Sequence, residues 1–214
     1  MARQARAIAT REAIVQGAGI VFGEVSYATA TLQDVIAHAG VTQGALYFHF
    51  DSKLDLAHEV IRQQHELSMR AAGRFAGDDL PSLDALILLS GELARQIRSE
   101  PVVQGGLRLT TESGQLFPDH SRGPYLDWIE STEHFLRGAA AQGQLKADLD
   151  LHAMARYVIS AFTGVQVVSR SLTGWADFVD RLEEMWLLQL PLVLDAPPEG
   201  EIERLAALAR SAGE

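Results

Sequence analysis

Cysteine is absent from this 214-residue chain. That removes disulfide frameworks, thiolate zinc sites, iron–sulfur clusters and cysteine nucleophiles together, and it is compatible with a reducing compartment. Long apolar runs are missing too: the longest charge-free stretch, Tyr157 to Ser169, falls well short of the roughly 20 residues a membrane span needs. The N-terminus carries no apolar signal core, so a cytoplasmic protein with no membrane association is expected. Cations are scarce, with 18 Lys and Arg against 28 Asp and Glu, a net charge of −10 and a pI near 5.1. A bulk charge of that sign repels a polyanion, so any nucleic-acid site must be local. There is no Gly-x-Ser-x-Gly elbow, phosphate-binding loop or dinucleotide fingerprint. His58-Glu59 and His65-Glu66 are seven residues apart, about 10 Å of helix rise, too far to share one metal. We assign no catalytic residue, no metal ligand and no cofactor, and an enzyme is not expected.

What is present is ordinary globular material, 47% hydrophobic and 21% charged, enough for a sizeable core in one domain or in a small module on a larger one. The acidity is uneven. Up to Arg62 there are five basic residues against six acidic, and Arg3, Arg6 and Arg11 all precede the first acid, Glu12, as a small basic arm. Apolar spacing is helical nearly throughout, with no convincing strand pair, and the fold expected is all-α. Thr31-Leu32-Gln33-Asp34 and Ser52-Lys53-Leu54-Asp55 read as capping boxes, each with a hydroxyl for an orphan N–H and an acid three residues on. Between them Gly40 suits a left-handed helix end and Thr42 a new N-cap, which makes a helix-turn-helix. Longer helices are expected over Ser82 to Ser99, Val102 to Ser113, Tyr125 to Gln142, Leu151 to Leu172, Asp177 to Val193 and Glu201 to Arg210. Pro81, Pro101, Pro118, Pro124 and Pro197-Pro198 read as breaks between them.

The second short helix carries the chemistry. After the Thr42 cap, Gly44 and Ala45 are small enough to let a helix end sit deep in a major groove. Gln43 can donate to and accept from adenine N7 and N6, Gly44 exposes backbone N–H, and Tyr47 can give its hydroxyl to a phosphate. A cation in the first turn of a helix opposes the macrodipole, so Lys53 beside Ser52 makes sense as an anion clamp, with His49 as a further phosphate donor. The alternatives are a packed His49 and a solvated Lys53.

This segment resembles the DNA-binding signature of TetR-family transcriptional repressors. The residues that carry the likeness are Leu32, Val35-Ile36-Ala37, Ala39-Gly40-Val41-Thr42, Gly44, Leu46-Tyr47-Phe48-His49-Phe50 and Lys53. Gly105-Gly106-Leu107-Arg108-Leu109-Thr110 and Trp128 within Tyr125 to Ile129 extend it towards the γ-butyrolactone autoregulator receptors of that family. The resemblance implies a homodimer on double-stranded operator DNA, each subunit carrying a three-helix DNA-binding module, residues 1–52, and a larger ligand-binding and dimerisation domain, residues 53–214. It implies that ligand releases the operator, that the last long helices form the dimer's four-helix bundle, and that Trp128 closes the ligand cavity. Two departures stand out. Ser26 occupies a position that is usually Gly and suited to positive φ, and Gln43 replaces a Lys found in several related receptors. Gly17 and Gly19 each cost the first helix roughly 1 kcal/mol relative to Ala, so it is expected to be loosely held without DNA.

Helix Leu151 to Leu172 is apolar nearly all round and must be covered on several sides, by its own domain or by a partner subunit. Gln64 and Thr163 are polar groups on apolar faces that could meet a ligand or be satisfied internally, and Trp128 offers a broad face and one N–H, or simple core packing. Leu88, Leu109 and Phe162 complete the candidate lining. The charge-free run favours a small, apolar, neutral ligand such as a γ-butyrolactone, butenolide or furan. The alternatives are a pseudo-receptor sensing an antibiotic or other apolar molecule, against which the acidic pI leans, and a helical binding module that has lost DNA binding.

Overall fold

The computed structural model describes residues 2–77, 80–112 and 118–213; the side chains of 2, 3, 112 and 118–121, including that of Arg3, lie outside the description. Ten helices are found among these residues: α1 Ala2–Glu24, α2 Leu32–Ala39, α3 Gln43–His49, α4 Lys53–Gly77, α5 Ser82–Ser99, α6 Pro101–Glu112, α7 Pro118–Ala141, α8 Leu151–Thr173, α9 Phe178–Val193 and α10 Glu201–Gly213. The all-α expectation stands, with one isolated bridge between Leu145 and Leu194. Pro101 and Pro118 are first helical residues, where the missing N–H costs nothing. Pro124 corrects the expected break, because it lies inside α7. Proline's φ is already helical, and the burial of Phe135, Leu136 and Ala139 further along α7 offsets the missing N–H. The expected end of α6 at Ser113 lies outside the described residues.

The chain divides into two compact units, an N-terminal unit of Met1–Ser68 with Ser99–Pro124, and a C-terminal unit of Met69–Arg98 with Tyr125–Glu214. The packing division thus falls within α4 and α7. The expected boundary after residue 52 is a separate matter, of which residues meet DNA and which meet ligand.

In the N-terminal unit, Ile14, Phe22, Val35, Leu46, Leu56 and Val60 form a core drawn from α1 to α4. The helix-propensity cost of Gly19 has a purpose here. A Cβ on Gly19 would stand 2.7 Å from the Val102 nitrogen and 2.8 Å from the Pro101 carbonyl, and one on Gly105 would stand 2.6 Å from the Gly19 oxygen. The paired glycines let α1 and α6 meet backbone to backbone. α1 runs unbroken through both glycines. Ser26 needs no left-handed backbone, since the non-glycine residues with positive φ are Trp175 and Ala196. Its turn closes instead through Ser26 Oγ, 2.9 Å from Thr29 Oγ1, and a Thr29 N–H donated to the Ser26 carbonyl at 3.1 Å.

In the C-terminal unit α9 packs on α8 and α10. Asp177, just before α9, accepts from Ser169 Oγ at 2.6 Å, Thr173 Oγ1 at 2.7 Å and Arg181 Nε at 2.7 Å. Those hydrogen bonds, Ser169's foremost, hold its carboxyl at about 2 and tie α8 to α9.

Candidate nucleic-acid interface and ligand-domain cluster

The helix-turn-helix is built by its caps. Asp34 N–H donates to Thr31 Oγ1 at 3.1 Å and Thr31 N–H to Asp34 Oδ2 at 3.3 Å, a complete capping box at the start of α2. Gly40, at φ 62° and ψ 32°, ends α2 in the left-handed conformation. Thr42 Oγ1 then accepts from Ala45 N–H at 3.2 Å and starts α3. Leu46 and Phe50, both buried, anchor α3 to the core. Gln43, Gly44 and Tyr47 face outward, and Ala45 and His49 are half-buried. Phe48 entered the sequence reading only as part of the family signature, with no role assigned. It is 80% exposed, with its ring edge-on to His49 at 5.0 Å. The signal was available, because Leu46 and Phe50, four apart, define the buried side of the helix and leave Phe48 opposite.

Lys53, expected as a phosphate clamp, also has partners within the chain. Its ammonium donates to the Tyr27 carbonyl at 2.8 Å and the Ala30 carbonyl at 2.9 Å, and it stands 4.5 Å from the centre of the Tyr27 ring. Two of its three hydrogens are committed to the turn between α1 and α2, so intramolecular acceptors offset the macrodipole's opposition. The capping box at Ser52 is half formed: Asp55 N–H donates to Ser52 Oγ at 3.1 Å, while Asp55 Oδ2 takes the N–H of Asp51 at 3.3 Å.

A charge hub holds α4 to α1. Glu59 accepts from Arg11 Nη1 at 2.8 Å, Arg62 Nη2 at 2.6 Å and Gln63 Nε2 at 2.7 Å, and Arg62 also reaches Glu66. Burial pushes the Glu59 carboxyl upward, but the hydrogen bonds from Arg62, Arg11 and Gln63 outweigh it and hold it at about 2.

The candidate ligand residues do not share one unit. In the C-terminal unit Trp128 and Thr163 meet through a residue that sequence reasoning passed over, Tyr125. The Tyr125 ring is edge-on to Trp128 at 5.1 Å, and its phenol shares a hydrogen bond with Thr163; burial raises the phenol's pKa. Phe162 packs instead against Phe178, ring centres 5.7 Å apart, and Leu88 is half-buried on α5. Gln64 and Leu109 belong to the N-terminal unit by packing. Leu109 is part of its core, carried there by α6. Gln64 is 1% exposed; its Nε2 donates to Ser68 Oγ at 3.1 Å while its Oε1 has no hydrogen-bond partner.

Residues 14–60 match the family model described as bacterial regulatory proteins, tetR family, and residues 80–193 match the tetracyclin repressor-like C-terminal domain. The chain belongs to the TetR family. It is 33% identical over 220 residues to the A-factor receptor protein of Streptomyces griseus, covering all of this chain and 76% of that one. A crystal structure of a gamma-butyrolactone receptor, an ArpA-like protein, superposes with a TM-score of 0.81 at 33% identity, over 97% of this chain and 98% of the other. CprB from Streptomyces coelicolor in complex with its biological operator sequence superposes with a TM-score of 0.79 at 34% identity, over 96% and 97%. The protein is thus a TetR-type transcriptional repressor and not an enzyme. TetR regulators bind operator DNA. Among the described residues no helix is long and apolar enough to cross a membrane.

Proposed function

We propose that this TetR repressor works in the cytoplasm as a homodimer on a pseudo-palindromic operator. A small neutral apolar ligand of the γ-butyrolactone type releases it, coupling antibiotic and other secondary-metabolite genes to a diffusible quorum signal. On the DNA side, Thr42 caps α3, Gly44 and Ala45 keep its first turn slim, Gln43 reads adenine, and Tyr47 and His49 donate to phosphate, with half-sites one helical turn or a multiple apart. Lys53 serves by fixing the turn between α1 and α2.

The observation that carries the ligand reading is the uncharged cluster of Trp128, Tyr125 and Thr163. It offers aromatic faces and paired hydroxyls to a guest with one or two acceptors, and no cation to balance a carboxylate. Phe162 and Leu88, in the same unit, are the further candidates for its apolar wall. Dimerisation is supported by α8 and α9, which leave Tyr157, Val168 and Leu188 exposed along a groove of 390 Å³, with Leu172 and Leu192 exposed elsewhere on the same two helices. In a twofold dimer the same face covers itself. Ligand needs only a higher affinity for a conformer whose two α3 helices no longer match the operator spacing.

The direct test is a mobility-shift titration on the protein's own promoter with a γ-butyrolactone. Release of the shifted band by wild type, and DNA binding without release by Trp128→Ala, is the expected result. Equal loss of both activities in the variant would assign Trp128 to the core, and a wild-type band indifferent to lactones would overturn the ligand class.

A further inference from the structure

Phe48 stands on the outermost side of α3. Successive helical residues advance by about 100°, which puts Gly44 and Phe48 each about 160° from buried Leu46, one turn apart on the same pole, with Gln43 and Tyr47 to one side. Helical side chains lean towards the N-terminus, so Phe48 rises from the same side of the helix as Gly44 without covering it. Nothing lies within 4 Å of where a Gly44 Cβ would be. The pole is therefore an aromatic ring beside bare backbone, at 80% exposure, with His49 edge-on behind the ring. An apolar ring at the crest of a groove-facing helix cannot pair with a base edge or a phosphate by hydrogen bonding. In the major groove it has one apolar complement among the four bases, the C5-methyl of thymine.

We propose that Phe48 is a specificity-determining residue, packing on a thymine methyl in each half-site while Gly44 gives that base pair room to approach. The proposal rests on α3 being the groove-facing helix and adds an apolar term to the polar readout by Gln43. It also gives the exposed ring a reason: the area left wet in the free protein is buried on the operator.

The probe is a 30-base-pair duplex that wild type enriches from a randomised library, with each thymine replaced singly by deoxyuridine, which deletes one methyl group and nothing else. Wild type is expected to bind about fourfold more weakly at one position per half-site, the equivalent of one buried methyl. Phe48→Ala, a substitution at an exposed position, is expected to bind the parent duplex more weakly and to show no further loss at those positions, while Phe48→Leu keeps part of the sensitivity. A uracil penalty undiminished in Phe48→Ala would overturn the assignment, as would a wild type indifferent to every thymine methyl. A wild type that enriches no duplex would overturn the reading of α3 itself and this inference with it.

Discussion

Two surfaces of this repressor leave apolar side chains in water, and they do so differently. On α3 the Phe48 ring stands among Gln43, Gly44 and the hydroxyl-bearing Tyr47, and the other exposed apolar residues of the N-terminal unit, Ile8, Val25 and Leu54, sit singly elsewhere along the chain, while Leu46, Phe50 and the backbone contact at Gly19 close its interior. On α8 and α9 the exposure recurs along two packed helices: Tyr157, Val168, Leu172, Leu188 and Leu192, with Leu188 at 76%. An isolated apolar group on a polar face fits a polar partner with one greasy spot, which describes a DNA groove. Apolar exposure repeated along packed helices fits another protein surface, since large apolar patches are rare on monomers. Within one chain, the pattern of exposure separates the two kinds of partner better than net charge does, because net charge is acidic and points away from DNA.

The comparison breaks most visibly at α8 and α9. Val168→Asp combined with Leu188→Asp places like charges across the proposed twofold interface, where a central apolar anchor is commonly worth about 2 kcal/mol or more. Sedimentation velocity should then find a monomer at concentrations where wild type is a dimer. Operator affinity should collapse while far-UV circular dichroism is retained. Unchanged mass would remove the stripe from the interface.

The N-terminal unit is sharpened by a smaller change. Gly19→Ala gains roughly 1 kcal/mol of helix propensity. The new methyl, however, would stand 2.7 Å from the Val102 nitrogen, against backbone that cannot swing away as a side chain could. Overpacking of that kind costs about 1–3 kcal/mol, so the net is a loss, read as a lower urea midpoint. A rise in midpoint would mean that α6 yields.

The helix-turn-helix was legible because its signals are local. Thr31, Gly40 and Thr42 act within four residues of themselves, so their spacing alone places α2 and α3. The partners of Lys53 were not legible, because the carbonyls of Tyr27 and Ala30 lie 26 and 23 residues away and leave no local trace. Gly19 is a similar case: its propensity cost is visible in sequence, whereas α6, which approaches it, arrives some 80 residues later. The ligand cluster fell between these cases. Trp128 and Thr163 carried recognisable chemistry, while Tyr125, which joins them, was hidden as a helix-start residue after Pro124. Leu109 looked like any apolar residue, and nothing local distinguishes a core from a cavity wall.

The gentlest test sets one charge hub against the other. Glu59 in the N-terminal unit and Asp177 in the C-terminal unit are both held at about 2. A carboxyl lowered on folding contributes stability that is fully present above its unfolded value, 4.5 for Glu59, and lost as pH falls through its folded value. Each hub therefore weakens its unit on acidification, Glu59 between about 4.5 and 2. Trp128, Trp175 and Trp186 all lie in the C-terminal unit, so tryptophan fluorescence is blind to the other. Glu59→Gln keeps an acceptor for Arg11 and Arg62 but removes the titrating group. Its far-UV signal should depend less on pH across that window than the wild type's, with the fluorescence transition unmoved. If fluorescence shifts as well, the two units do not lose their structure independently, and the acid sensitivity of Glu59 belongs to the whole subunit.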